Sequence, residues 1–353
     1  MTELPTTHVV AVHERVGQIS VEERPVPDPE PGRVIVEVSH CGICGSDIHV
    51  IMEGWGKPGG VHGHEFSGVI AAVGAGVEGW AVGDEIVCGS SPKCGHCEGC
   101  RSGNPSQCSN RDGVASDHYD GAYARYASVS ADSLLRIPVG VTLREAALSE
   151  PLAVALHGIT RSGIVEGQTA MVFGAGPIGA LTLAALKAKG LGPVTVIEPG
   201  EVRQQLARDL GADEVLHPAD LPTYGLHQPE EISPHAAHVV LECSGKRAAM
   251  EAGLQQVRRG GRLVLVGAGI EPPTFDGNRI LLNEITITGS FVYDADGFER
   301  ALELLASGNL PTDLLIDGAD VSLSGLQDAM VALAGGSIAG KVMVVPALEK
   351  GNH

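Results

Sequence analysis

Thr169-Ala-Met-Val-Phe173-Gly174-Ala-Gly176-Pro177-Ile178-Gly179, continued by Ala180-Leu-Thr-Leu-Ala-Ala-Leu-Lys-Ala-Lys189, is the stretch on which the fold of this chain turns. An apolar strand runs into Gly-x-Gly-x-x-Gly and out into a helical run, the context the motif needs. The first glycine makes the turn, the second lets a pyrophosphate approach the backbone, and the third lets helix pack closely on strand. Pro177 and Ile178 occupy the motif's variable positions, at the mouth of the same cradle. The next strand, Pro193–Ile197, ends in Glu198, 19 positions past Gly179. That is close to the ~20 at which a carboxylate binds an adenosine ribose. An acid there repels a 2′-phosphate, so NAD is expected over NADP. Arg203 follows, and is read as flanking the adenine or standing on an exposed helix face.

The alternation continues downstream. Helix is expected over Glu201–Leu210 and Arg247–Val257, and strand over Glu214–Leu216, Ala237–Gly245, Arg262–Gly267 and Glu284–Phe291. Repeated βα units of this kind predict a doubly wound parallel sheet. Val266 and Gly267, at the end of one strand, are assigned to the coenzyme. Residues 218–236 show no clear period and read as a loop with one short helix. Two helices, Gly297–Ser307 and Gly325–Leu333, precede a last strand, Gly340–Val345. With no strand left for the parallel sheet, this tail is expected to return to the first half of the chain.

Upstream, Val9–Val12, Val34–Val38, Val69–Val73 and Gly83–Val87 read as short strands separated by turn-rich breaks such as Pro25-Val-Pro-Asp-Pro-Glu-Pro31. Their spacing predicts a β-rich, barrel-like domain. Within it lies Cys41-Gly-Ile-Cys44-Gly-Ser46-Asp47-Ile-His49, answered by Gly63-His64-Glu65. A thiolate, an imidazole and a carboxylate can hold a metal with an open position, and a hydroxyl and second imidazole can lead a proton away. Taken alone, Ser46 reads as a helix N-cap and His49 as a surface histidine.

The next motif is Cys94-x2-Cys97-x2-Cys100-x7-Cys108. Four thiolates on one short loop close tetrahedrally on a single Zn²⁺ and leave no position for substrate, which marks a structural zinc. His96 inside the loop is read as a solvated neighbour. Glu150, just before Pro151 and an apolar helix over Leu152–Ile159, is by itself an ordinary helix-start carboxylate.

Composition bounds the rest. At 353 residues the chain is long for one core and predicts two domains. The formal charge of −19 excludes partners held by phosphate neutralisation, so no nucleic acid is expected. The stretch 167–186 carries no charge, yet its glycines and Pro177 argue against a membrane span. No basic, apolar leader opens the sequence, and crowded cysteines suit a reducing compartment, so a cytoplasmic protein is expected. Cys41, Cys88 and Cys243 read as small buried apolar residues; Trp55 and Tyr119 line the substrate pocket or simply pack.

Four features in order, Cys44-x-Ser46-Asp47-x-His49, Gly63-His64-Glu65, the four-cysteine loop and Gly174-x-Gly176-x-x-Gly179, are similar to the zinc-containing medium-chain alcohol dehydrogenases. The resemblance covers essentially the whole chain and is greatest to the sorbitol-, butanediol- and threonine-dehydrogenase-like branch. It implies an α/β fold: a GroES-like catalytic domain over 1–152 and 293–353, and a Rossmann domain over 153–292. It implies two zinc ions per chain, one structural and one catalytic. For the catalytic ion, Cys44 and His64 are the implied ligands, with Glu65 and Glu150 sharing the remaining coordination. Which carboxylate binds directly stays open. Ser46 and His49 then carry the alcohol proton, a histidine's ordinary pKa of ~6.5 suiting its release. Asp47 orients His64, and Lys341 meets the pyrophosphate. His157 is left as a packed or cofactor-adjacent residue.

The implied activity is reversible oxidation of a secondary alcohol, vicinal diol or polyol by NAD, in a homodimer or homotetramer. Two other readings stand beside it: a zinc-independent NADPH quinone or enone reductase, and a non-catalytic NAD- or zinc-binding regulator. The intact Cys44/His64/Glu65 set argues against the reductase.

Overall fold

The structure, a computed structural model, describes residues 4–89, 94–110, 120–225 and 228–349. The chain opens on an antiparallel hairpin of β1 (Thr7–Arg15) and β2 (Gln18–Pro25), turned at Gly17 with φ 76°. β2 has no counterpart in the sequence reading, because Val21–Glu23 stand exposed and give no apolar alternation. β3 (Arg33–Gly42) leads into α1 (Gly45–Met52), so the Cys41–His49 stretch is a strand end and the first turns of a helix. β4 (Glu65–Val73), β5 (Glu85–Cys88), α2 (Glu98–Arg101), β6 (Tyr126–Ser130) and β7 (Leu134–Arg136) follow. They form an antiparallel sheet β3-β4-β5-β7, with β6 paired to β3. Val34, Ile35, Val36 and Val38 are at most 1% exposed, so β3 is covered on both faces and anchors the first core.

α3 (Leu143–Ala146) starts with a reciprocal cap: Thr142 N donates to Glu145 Oε2, and Glu145 N donates to Thr142 Oγ1. α4 (Ser149–Ser162) ends at Gly163 in the left-handed conformation, φ 63°. α4 is continuous through residues 152 and 153, where a domain boundary was expected. It joins a buried cluster that reaches from Val87 through the parallel sheet to Met343, so the two halves share a core.

β8 (Ala170–Phe173), α5 (Pro177–Ala188), β9 (Val194–Ile197), α6 (Glu201–Asp209), β10 (Glu214–Leu216), β11 (Ala237–Glu242), α7 (Arg247–Gln255), β12 (Val257–Leu265), α8 (Gly277–Leu282) and β13 (Thr286–Gly289) build the second sheet. Every neighbouring pair in it is parallel, in the order β10-β9-β8-β11-β12-β13. This is the doubly wound arrangement, with its strand order reversing between β8 and β11. The charge-free stretch 167–186 is divided between β8, the glycine turn and α5. No helix among the described residues is long and apolar enough to cross a membrane. The tail, α9 (Gly297–Ala306), α10 (Thr312–Leu315), α11 (Leu326–Ala334) and β14 (Met343–Val344), returns to the first sheet, where β14 pairs with Cys41 and Gly42.

Candidate active site

The antiparallel register sets Gly42 of β3 opposite Glu65 of β4, bringing Cys44 and His64 to the same end of the sheet. Ligand atoms of Cys44, His64 and Glu65 lie within 4.8 Å of one another. A Cβ at position 42 would stand 2.3 Å from Glu65 Oε2, so any larger residue there would displace the Glu65 carboxylate. Asp47, buried in the first turn of α1, supports this set. Its Oδ2 accepts from Tyr123 OH at 2.6 Å and from Cys44 N at 3.2 Å, and its Oδ1 lies 3.6 Å from His64 Nδ1. Burial opposes ionisation of Asp47, yet the His64 charge and these hydrogen bonds hold its carboxyl below the usual range. A soft thiolate, an imidazole and a carboxylate at this spacing fit a catalytic zinc with one open position.

Two further expected members of the site pack beside this set, and Lys341 also lines the cleft described below. Lys341, expected at the pyrophosphate, is 1% exposed; its Nζ lies 2.8 Å from Glu65 Oε1, 2.6 Å from Oε2 and 3.0 Å from the Ile43 carbonyl. A buried ammonium must be paired, and Glu65 is the pairing carboxylate. Glu150, in the first turn of α4, lies outside the close set of three. It is 6% exposed, and burial, aided by the Glu65 charge and opposed by His64 and Lys341, pushes its carboxyl up to about 7.

The four cysteines of the loop, Cys94, Cys97, Cys100 and Cys108, also converge within 4.8 Å. Backbone N–H groups are aimed at their sulfurs, Cys100 N at Cys97 Sγ (3.4 Å) and Cys94 N at Cys108 Sγ (3.5 Å), so the loop is built to hold thiolates. His96 bonds the Cys94 carbonyl and is no part of the set.

A cleft of about 470 Å³ separates α1 and the tail from the carboxyl ends of the parallel strands. It lies at the switch point between β8 and β11, where ligands bind in open α/β sheets. Gly174, Gly176, Pro177 and Ile178 form its floor. Gly174 takes φ 85°, and a Cβ on Gly179 would lie 1.8 Å from the Gly174 carbonyl oxygen, so helix and strand meet as the motif predicts. A Cβ on Gly176 would meet nothing nearer than Arg203 at 3.8 Å, which leaves that face open to a ligand. Glu198 lines the cleft and accepts from Ala175 N and Gly200 N, both at 2.8 Å.

Arg203 lines the cleft too, but not as an exposed helix residue. Its guanidinium donates to the carbonyls of Leu333 (2.7 Å) and Ile338 (3.2 Å), tying α6 to the tail. Val266 and Gly267 stand off the lining. Val266 packs on the shared core, and a Cβ on Gly267 would meet Gly245 N at 2.2 Å. Sequence reasoning overlooked Ser244 and Lys246, which line the cleft just past β11. The rule that ligands sit outside strand ends at a switch point could have found them. Cys243, read as a buried apolar residue, also reaches the lining.

His49 lines the cleft, with Nδ1 bonded to Glu53 Oε2 at 2.6 Å. Ser46 is exposed on the first turn of α1, whose N-cap is Cys44. Trp55 stacks on His49, ring centroids 4.6 Å apart at 15°; Tyr119 lies outside the described residues. His157 is buried against Asp294 at 2.7 Å and packs rather than facing the cleft.

Residues 30–139 match the family model described as alcohol dehydrogenase GroES-like domain, and residues 177–307 match zinc-binding dehydrogenase. A sorbitol dehydrogenase of Bacillus subtilis (strain 168) is 34% identical over 97% of this chain and 98% of its own. Among solved structures, a short chain alcohol dehydrogenase from E. coli CFT073 complexed with NADH superposes with TM-score 0.84, at 28% identity over 97% of this chain and 100% of that one. A 2R,3R-butanediol dehydrogenase from Bacillus subtilis gives TM-score 0.81, at 29% identity over 96% and 99%. With both halves matched and the metal set, thiolate loop and glycine cradle all present in its own fold, the chain belongs to the zinc-binding alcohol dehydrogenase family.

Proposed function

We propose that this protein reversibly oxidises a secondary alcohol, vicinal diol or polyol to the ketone or aldehyde, with NAD as hydride acceptor. The observation that carries this is the close Cys44/His64/Glu65 set at the head of α1, the same helix that supplies one wall of the coenzyme cleft. The names of the relatives, a sorbitol and a butanediol dehydrogenase, support the substrate class.

In this reading Cys44 and His64 hold a zinc ion, with a carboxylate from Glu65 or Glu150. Bound there, zinc supplies a Lewis acid for the alcohol oxygen, and the nicotinamide supplies the hydride acceptor. Asp47 steadies His64. Ser46 and His49 take the alcohol proton toward solvent along α1. Lys341 neutralises Glu65 when that carboxylate is not engaged elsewhere. Glu198 favours NAD, and the Nε and Nη2 donors of Arg203 are directed to two tail carbonyls. The four-cysteine loop holds the second zinc. A cytoplasmic homodimer or homotetramer is part of the proposal, supported by eight unpaired thiols and by the family.

The test is a panel of polyols, diols and secondary alcohols with NAD and NADP, read as NADH or NADPH absorbance, on protein whose zinc has been counted. About two zincs per chain and turnover with NAD are expected. A two-zinc protein that reduces neither coenzyme with any member of the panel defeats the proposal. A single structural zinc without turnover points to the regulator reading, and a zinc-free enone reductase to the third.

A further inference from the structure

We infer that Glu53 is a positioning residue for His49, fixing the ring so that one defined nitrogen receives the alcohol proton. The inference rests on the reading above, in which His49 lies on the proton path.

α1 ends at Met52, and Glu53 occupies its C-cap, four residues after His49. Gly54, at φ 81°, then turns the chain back, and Trp55 N donates to the His49 carbonyl at 3.1 Å. That reversal lays the indole flat on the imidazole, at 4.6 Å and 15°. The ring is thus held on its face by Trp55 and at its edge by Glu53, whose Oε2 is 2.6 Å from Nδ1.

An ionised carboxylate only accepts, so it stabilises the tautomer with the proton on Nδ1 and leaves Nε2 as the ring's acceptor. An unrestrained imidazole populates both tautomers and several rotamers, and only some can take a proton from the site.

A plain i,i+4 surface pair would have the same sequence spacing. Three facts set this one apart. His49 and Glu53 both line the coenzyme cleft. The side chains are 19% and 35% exposed, so neither stands free in solvent. The cleft's other charged groups have different work: Glu198 accepts backbone N–H groups, Arg203 binds tail carbonyls and Lys341 pairs with Glu65. Lys246 lines the opposite wall.

The test uses the zinc-loaded full chain with NAD and the best alcohol of the panel, comparing E53Q, E53D, H49Q and the double variant H49Q/E53Q. H49Q is expected to lower kcat about 100-fold. E53Q should lower kcat about tenfold with both KM values within about twofold, and E53D should recover most of the loss. Because Glu53 acts through His49, the double variant should be no slower than H49Q, and added imidazole should speed H49Q and E53Q. Independently of turnover, ¹⁵N shifts of the His49 ring should report an Nδ1–H tautomer in the parent and a mixture in E53Q. Full activity and an unchanged tautomer in E53Q, or an additive loss in the double variant, overturns the inference while leaving His49 on the path. If H49Q itself keeps the parent kcat, the proton-path reading falls, and the role of Glu53 falls with it.

Discussion

Lys341→Met removes the ammonium from a carboxylate that has nowhere to find solvent, since Glu65 is 0% exposed and Lys341 1%. Two contacts to Glu65, at 2.6 and 2.8 Å, and one to the Ile43 carbonyl are lost together. Breaking one partner of such a buried pair costs about 3–5 kcal/mol, because the remaining charge is left uncompensated. At about 2.1 cal mol⁻¹ K⁻¹ per residue, unfolding 353 residues carries about 0.7 kcal mol⁻¹ K⁻¹, so the variant should melt about 4–7 °C lower. Scanning calorimetry on zinc-loaded and chelator-stripped protein checks it, and the loss should be larger when stripped, where no other cation faces Glu65. Burial works against the charged amine, but the attraction of Glu65 holds Lys341 above its ordinary pKa. A raised pKa contributes stability fully below the unfolded value and loses it only as pH climbs past the folded one. The lysine's own contribution is therefore constant up to about pH 9. Lys341 also holds down the Glu150 carboxyl, which sits at about 7, so the variant's deficit in Tm should shrink as pH falls below about 7. A variant that melts within about 1 °C of the parent but needs much more NAD would refute this reasoning and return Lys341 to the pyrophosphate.

The remaining predictions concern the glycine cradle, the zinc loop and coenzyme choice. Gly179→Ala places a Cβ 1.8 Å from the Gly174 carbonyl and should cost several kcal/mol in a urea titration, whereas Gly176→Ala should fold normally and weaken NADH fluorescence titrations about tenfold or more. Cys97→Ser should leave one zinc per chain by elemental analysis and expose the 94–108 loop to limited proteolysis, with the Cys44/His64 site still loaded. Glu198→Ala removes both the acceptor for Ala175 N and Gly200 N and the repulsion of a 2′-phosphate; the NAD-over-NADP ratio of kcat/KM should fall about tenfold, and an unchanged ratio would show that Glu198 does not select the coenzyme.

Some of this was readable before any coordinates, because the constraint was local. A turn that must place a strand, three glycines and a helix within twenty residues leaves a fixed spacing, and so does a loop that brings four sulfurs to one ion. The parallel sheet, the thiolate loop and the roles of Gly174 and Gly179 could therefore be stated from residue order. β2 was missed for the complementary reason: an exposed strand face carries no apolar period.

Other facts depended on which distant side chains meet. Lys341 and Glu65 are 276 positions apart, and nothing in either segment says that this lysine pairs with that carboxylate. Arg203 is charged and helical in sequence, yet its partners are carbonyls of a tail more than 100 residues away. Even His49 and Glu53, four residues apart, acquire a meaning beyond helix spacing only because Gly54 folds Trp55 back over the ring and the tertiary fold opens a cleft beside it. Sequence by itself determined which chemical groups the chain owns and the short-range geometry that presents them. Tertiary structure decided their pairings, because a buried charge takes the partner that folding leaves within reach.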